Sequence, residues 1–250
     1  MGSSAITAIY QGSNLIWPLT TPETPLAWIG NGDDTTARQD VWFNTGVIPN
    51  IRGVLRAWYS TSQFTDTQVI AGVFDSVNNP AYHFSIHHPR NATYSIAGIL
   101  CDGTRIPQSN SSNFKIAGAV YDTRIFAMTG TTYSNSYKRL VTGLSGETSQ
   151  TFSTNFGNTT YYNQFLNCTP VAPIYMFCRY ARNIESPDGL CYGGTRIYQL
   201  QIYSSTSYSD LVADFRPYLV NGTPCFKEII GGTYHYNQGT GTVTYGLSGT

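Results

Sequence analysis

The chain has 250 residues, of which only 11% are charged, with 14 Lys and Arg balancing 14 Asp and Glu. A neutral, sparsely charged chain has no electrostatic reason to seek nucleic acid or an anionic membrane, and no run of about 18 apolar residues is present to insert in a bilayer. The 19 Tyr and 24 Gly point instead to pleated, half-buried strands joined by tight turns.

The opening stretch is "AITAIYQGSNLIWP", Ala5 to Pro18. Two short apolar runs flank Gln11-Gly12-Ser13-Asn14, a turn sequence, and together they predict a hairpin. A lone hairpin is marginal in water. Ile9, Tyr10, Leu15, Ile16 and Trp17 are therefore candidates for docking on a partner. "LTTPETP", Leu19 to Pro25, has prolines, small polar residues and no periodicity, and reads as a linker. The expected division is residues 1–24 as hairpin and linker and residues 25–250 as one all-β body, a common size for a single sandwich.

Within the body, period-two alternation dominates. In "VLRAWYST" Leu55, Ala57 and Tyr59 share one face, with Val54, Arg56 and Trp58 on the other. In "YHFSIHH" Tyr82, Phe84 and Ile86 alternate with His83, Ser85 and His87. "FKIAGAVYDTRIFAM" predicts two strands joined by a turn at Asp122-Thr123. "PIYMFCRYA" predicts another strand. In "RIYQLQIY" Tyr198, Leu200 and Ile202 point one way and Gln199, Gln201 and Tyr203 the other. "SYSDLVADF" is a weak helix candidate whose Val212 and Phe215 serve equally well in a strand. Asn221-Gly222 suits a type I′ hairpin turn. Strands recurring every 8–14 residues between Gly, Asn, Ser and Pro clusters are the pattern of a sandwich or jelly roll.

The five cysteines, Cys101, Cys168, Cys178, Cys191 and Cys225, are odd in number and lack metal-ligand spacing. The N-terminus lacks a basic region followed by an apolar stretch. Reduced, mostly buried thiols in a chain made in a reducing cytoplasm are expected, with one or two disulfides as the alternative.

The C-terminal fifth carries more than periodicity. Arg196-Ile197-Tyr198, Asp214-Phe215-Arg216-Pro217, Gly222, Tyr234, Asn237, Gly239 and Gly241 follow one another in an order that resembles the end of LamG-like, concanavalin A-like lectin/glucanase domains. Phe43-Asn44-Thr45-Gly46 and Pro49-Asn50 resemble the first strand pair of the same family. "AIYQGSNLIWP" resembles the opening of many bacteriophage virion-associated proteins. The resemblance covers residues 1–18, 40–60 and 170–246. It implies a concanavalin A-like jelly roll with an N-terminal hairpin. Two positions depart from it: Glu228 follows Lys227 where the family usually has an Asp, and Asn44 stands where it often has Asp.

Glucanase relatives carry a Glu-x-Asp-x-x-Glu run that sets two carboxylates on one face of a strand. This chain has none, and a non-enzymatic protein is expected. Relatives sometimes hold calcium at the sandwich rim, which makes Asp33, Asp34 and Asp102 the acidic candidates here. They are too scattered to define a site, and neither a metal nor a cofactor is expected. The adjacent His87 and His88 point to opposite faces of a strand and cannot jointly ligate a metal. Tyrosines in polar loops suit stacking on sugars, and Tyr133, Tyr137, Tyr161 and Tyr162 are the glycan-contact candidates. Any ligand is expected to be a neutral or weakly charged glycan.

The resemblance implies a bacteriophage virion protein: a capsid decoration, a head fibre or a tail-associated adhesin. It would be present in many copies or as a homo-oligomer beside other virion proteins, with its lectin-like body facing outward. A carbohydrate-binding module of a bacterial surface protein and a glycan-cleaving enzyme are the alternatives.

Overall fold

The structure is a computed structural model. It describes residues 8–11, 14–18, 22–50, 52–63, 68–75, 82–88, 98–101, 104–105, 118, 120–126, 134–142, 148–155, 169–182, 184–205 and 208–248, with backbone alone for 8–11, 14–18, 82–83, 87–88, 98–101, 104–105, 126, 134–142 and 148–155. The described residues contain no helix.

In chain order the strands are β1 (Ala8–Gln11), β2 (Asn14–Pro18), β3 (Glu23–Gly30), β4 (Phe43–Asn44), β5 (Val54–Ser60), β6 (Gln68–Asp75), β7 (Tyr82–His88), β8 (Gly98–Cys101), β9 (Thr104–Arg105) and β10 (Val120–Phe126). They continue with β11 (Ser134–Thr142), β12 (Thr148–Asn155), β13 (Tyr175–Met176), β14 (Arg179–Ala181), β15 (Ser186–Asp188), β16 (Arg196–Tyr203), β17 (Leu211–Val220), β18 (Thr223–Glu228), β19 (Tyr234–Tyr236) and β20 (Thr244–Leu247). β1 and β2 form a two-stranded antiparallel sheet of their own. A ten-stranded sheet runs β12-β11-β10-β5-β16-β3-β17-β18-β19, with β20 paired to β3. An eight-stranded sheet runs β15-β14-β6-β7-β8-β9, with β13 on β6 and β4 on β13.

The two large sheets face each other as a β-sandwich. Alternation, broken by an irregularity at Ile70 of β6, places Leu55, Ala57, Tyr59, Tyr121 and Ile125 of the larger sheet in one core with Ile70, Ala71, Val73, Phe84 and Ile86 of the smaller. An aromatic cluster closes one part of it. Phe43 meets Phe226 edge to face at 5.0 Å, and Phe177 lies 6.0 Å from Phe43 and 6.5 Å from Phe226.

Five local expectations change. The linker expected over Leu19 to Pro25 does not extend past residue 22: Glu23, Thr24 and Pro25 open β3 and pair with Val220, Leu219 and Tyr218 of β17. Asp122 and Thr123 do not turn the chain but sit mid-strand in β10, paired to Trp58 and Ala57. The Arg56 guanidinium across the ladder satisfies the Asp122 carboxylate, so the residue has no need of a turn. "PIYMFCRYA" is not one strand. The chain reverses at Phe177, whose φ is 63°, so β13 is antiparallel and β14 parallel to β6. Full burial of the Phe177 ring offsets that backbone strain. The "RIYQLQIY" face is out of phase because a bulge falls between Ile197 and Gln199. Ile197, Leu200 and Ile202 all reach the core, while Tyr198 is only half-buried. "SYSDLVADF" enters β17, with Phe215 fully buried and Val212 46% exposed, the opposite faces that a strand requires. The Asn221-Gly222 turn is as expected. Both residues have positive φ, 51° and 80°, and a side chain on Gly222 would meet nothing, so conformation rather than crowding demands glycine there.

Candidate functional site

The same alternation that sends Leu55 and Tyr121 inward turns a polar row out of the opposite face of the ten-stranded sheet. Arg56 Nε and Nη2 donate to the two Asp122 oxygens at 2.8 and 2.6 Å, and Arg124 Nη2 adds a third bond at 3.1 Å. The Arg56 guanidinium stacks 3.7 Å over the Trp58 ring, and Arg124 lies 5.3 Å over Tyr208. Burial opposes the Arg124 cation, but bonds to Asp122 and Tyr208 outweigh it and raise its pKa. Farther along, Gln199 Nε2 donates to Asp214 Oδ1 at 2.6 Å, and Arg216 donates twice to Oδ2 at 3.2 and 2.9 Å. β16 also pairs directly with β17, Gln201 facing Asp214, so Asp122 and Asp214 stand three strand spacings apart, at least roughly 14 Å. Glycoside hydrolysis uses carboxyl groups about 5–10 Å apart, so these two, each gripped by arginine, do not form such a pair.

At the C-terminal end the outward face becomes aromatic. Register places Pro25, Tyr218, Cys225 and Tyr236 in one row across β3, β17, β18 and β19, with Arg216, Lys227 and Tyr234 in the next. Lys227 Nζ lies 5.2 Å from the Tyr218 ring centre and 5.5 Å from that of Tyr234. It donates to both Glu23 oxygens at 2.8 Å, and the Tyr234 hydroxyl donates to Glu23 Oε2 at 2.6 Å. The bond from Lys227, then that from Tyr234, lowers the Glu23 pKa. The Glu23 bond raises those of Lys227 and Tyr234.

Several motif residues are structural. Asn237 Oδ1 accepts from the Trp42 and Gly239 amides at 3.0 and 3.1 Å, and its Nδ2 donates to the Gly239 and Gly241 carbonyls, both at 3.1 Å. A Cβ on Gly239 would stand 2.0 Å from the Asp40 carbonyl oxygen, so the Asn-x-Gly-x-Gly turn is a staple onto residue 40. Glu228, 7% exposed, accepts from the amides of Asp214 at 3.1 Å, Ile230 at 3.0 Å and Gly231. Asn44 Oδ1 accepts from the Gly46 amide at 2.8 Å, a turn role that an Asp fills equally well. A cleft of about 330 Å³ beside β14 is lined by Arg38, Val69, Arg179, Asp188 and Leu190. Its walls are tied together: Arg38 Nη1 donates to the Leu190 carbonyl at 2.5 Å and Arg179 grips Asp188.

The side chains of Ile9, Tyr10, Leu15, Ile16, Trp17 and Tyr137 lie outside the described residues, as do Tyr133, Tyr161, Tyr162 and Asp102 and the His87 and His88 side chains. Asp34 Oδ1 accepts from the Thr36 amide at 2.9 Å and hydroxyl at 2.6 Å. Among the described residues no group of three or more His, Cys, Asp or Glu gathers to hold a metal. The Tyr218–Lys227–Tyr234–Tyr236 cluster was not singled out in the sequence. Its signal was present: "RPYLVNGTPCFKE" alternates around a hairpin turn, which sets Tyr218 opposite Cys225.

No protein-family model matches the chain, and no curated protein matches it. It is similar in outline to a crystal structure of scytalido-glutamic peptidase with a transition state analog inhibitor, at 13% identity and a TM-score of 0.35, over 90% of this chain and 100% of that one. No residue role is transferred at that level of likeness.

Proposed function

We propose that the chain is a non-enzymatic bacteriophage virion protein: a capsid decoration, head fibre or tail-associated adhesin. In this reading the N-terminal hairpin docks on other virion proteins, and a lectin-like jelly roll faces outward to meet glycans. The observation that carries the reading is the separate sheet of β1 and β2. Among the described strands neither pairs with any strand of the sandwich. A two-stranded hairpin is marginal by itself, so a partner surface is the natural place for its Ile-Tyr and Leu-Ile-Trp runs. The likeness of "AIYQGSNLIWP" to virion-protein openings supports the same assignment. The engagement of Asp122 and Asp214 by arginines favours a binding role over hydrolysis. The test is mass spectrometry of purified particles of the phage that encodes the chain. A fixed copy number relative to the major capsid protein is expected, and absence from particles would overturn the proposal.

A further inference from the structure

We propose that the Tyr218–Cys225–Tyr236 row, with Lys227, Tyr234 and Glu23 beside it, is a binding platform for neutral pyranose sugars. This rests on the glycan-binding part of the reading above and gives it a place and a ligand class. Three features argue for it.

The first is shape. Tyr218 and Tyr236 stand on β17 and β19 with the small, fully buried Cys225 between them on β18. Two strand spacings, roughly 10 Å, separate the backbone positions from which the two rings rise, a span that linked sugar rings cover. Sugar rings present C–H faces that pack on aromatic planes, while their hydroxyls reach the polar edges of tyrosine.

The second is polar capacity. Among the described residues the Tyr218 and Tyr236 hydroxyls have no hydrogen-bond partner, and Tyr236 is 43% exposed. Sugar hydroxyls supply both donors and acceptors to such groups.

The third is charge. Lys227 and Glu23 lie together at 2.8 Å, with side chains 21% and 33% exposed. They offer an ammonium donor and a carboxylate acceptor whose charges cancel. That complements a polyol without net charge and gives no preference for an anionic sugar.

The test uses the full chain on an array of neutral hexose oligosaccharides and their sialylated counterparts, at about 50 and 200 mM salt. Tyr236→Ala and Tyr218→Ala are compared with wild type, and Tyr236→Phe keeps the ring while removing the hydroxyl. Expected is salt-insensitive binding of neutral glycans, weakened at least tenfold by either alanine variant and less by Tyr236→Phe, at unchanged melting temperature. Wild-type binding by both alanine variants, preference for the sialylated set, or no glycan bound at all would overturn it. Sedimentation of the same proteins covers the other occupant: if Tyr236→Ala abolishes self-association while glycan binding persists, the face is a contact between copies and the proposal falls. None of these results bears on incorporation into particles, which is measured separately.

Discussion

Glu228 and Cys225 show how single side chains hold the C-terminal hairpins. Three backbone amides converge on the Glu228 carboxylate from two chain segments, and hydrogen bonds to a charged group contribute about 1.5–3 kcal/mol each. Glu228→Ala should therefore lower the unfolding free energy by at least about 2 kcal/mol in urea titration; a change within about 0.5 kcal/mol would show the turn is held by its backbone alone. Cys225 is buried, and that burial pushes its thiol from the ordinary 9.0 up to about 11. A raised folded-state pKa means that this group's stabilisation is complete below pH 9.0 and is lost as the pH climbs through about 11. Calorimetry from pH 8 to 11 should show a falling melting temperature, and a shallower fall for Cys225→Ala. Identical slopes would contradict the assignment. Cys178 and Cys191 are likewise buried thiols outside any disulfide, their pKa values raised chiefly by burial. Those three agree with the reduced state expected from the odd cysteine count.

At the scale of the element, legibility followed the local signals. Alternation in "VLRAWYST" placed Leu55, Ala57 and Tyr59 in the core correctly, because nothing interrupts β5. Asn221-Gly222 was legible because the turn type needs two residues with positive φ. The misreadings arose where a distant partner decides the backbone. Arg56 makes Asp122 a strand residue, the aromatic pocket lets Phe177 reverse the chain, and a bulge shifts Tyr198 out of phase. The candidate platform was hidden for the same reason. It draws Glu23 from β3 and Tyr234 from β19, 211 residues apart, and no local pattern joins them. Motif resemblance pointed to Asn237, Gly239 and Gly241, which prove to staple the chain to Asp40. The hairpin β1–β2 was legible from its turn. Deleting residues 1–20, which spares Glu23 and the start of β3, should leave the melting temperature of the body within a few degrees. If its apolar side chains instead belonged to the sandwich, losing three or four of them at roughly 1.5–3 kcal/mol each would lower it sharply.

The described residues form an all-β sandwich with an inward apolar face and an outward polar and aromatic face. Far-UV circular dichroism should show a β spectrum with negligible helix; a helical fraction above roughly a fifth would contradict the architecture. The central claim is that the sandwich is carried on a particle by the separate hairpin. The most direct measurement is quantitative mass spectrometry of particles assembled with the full-length chain or with the chain lacking residues 1–20, a cut that leaves β3 whole. The account predicts a fixed stoichiometry for the first and loss of the second from particles, although its purified body folds normally. Equal incorporation of both, or absence of the full-length chain, would contradict it.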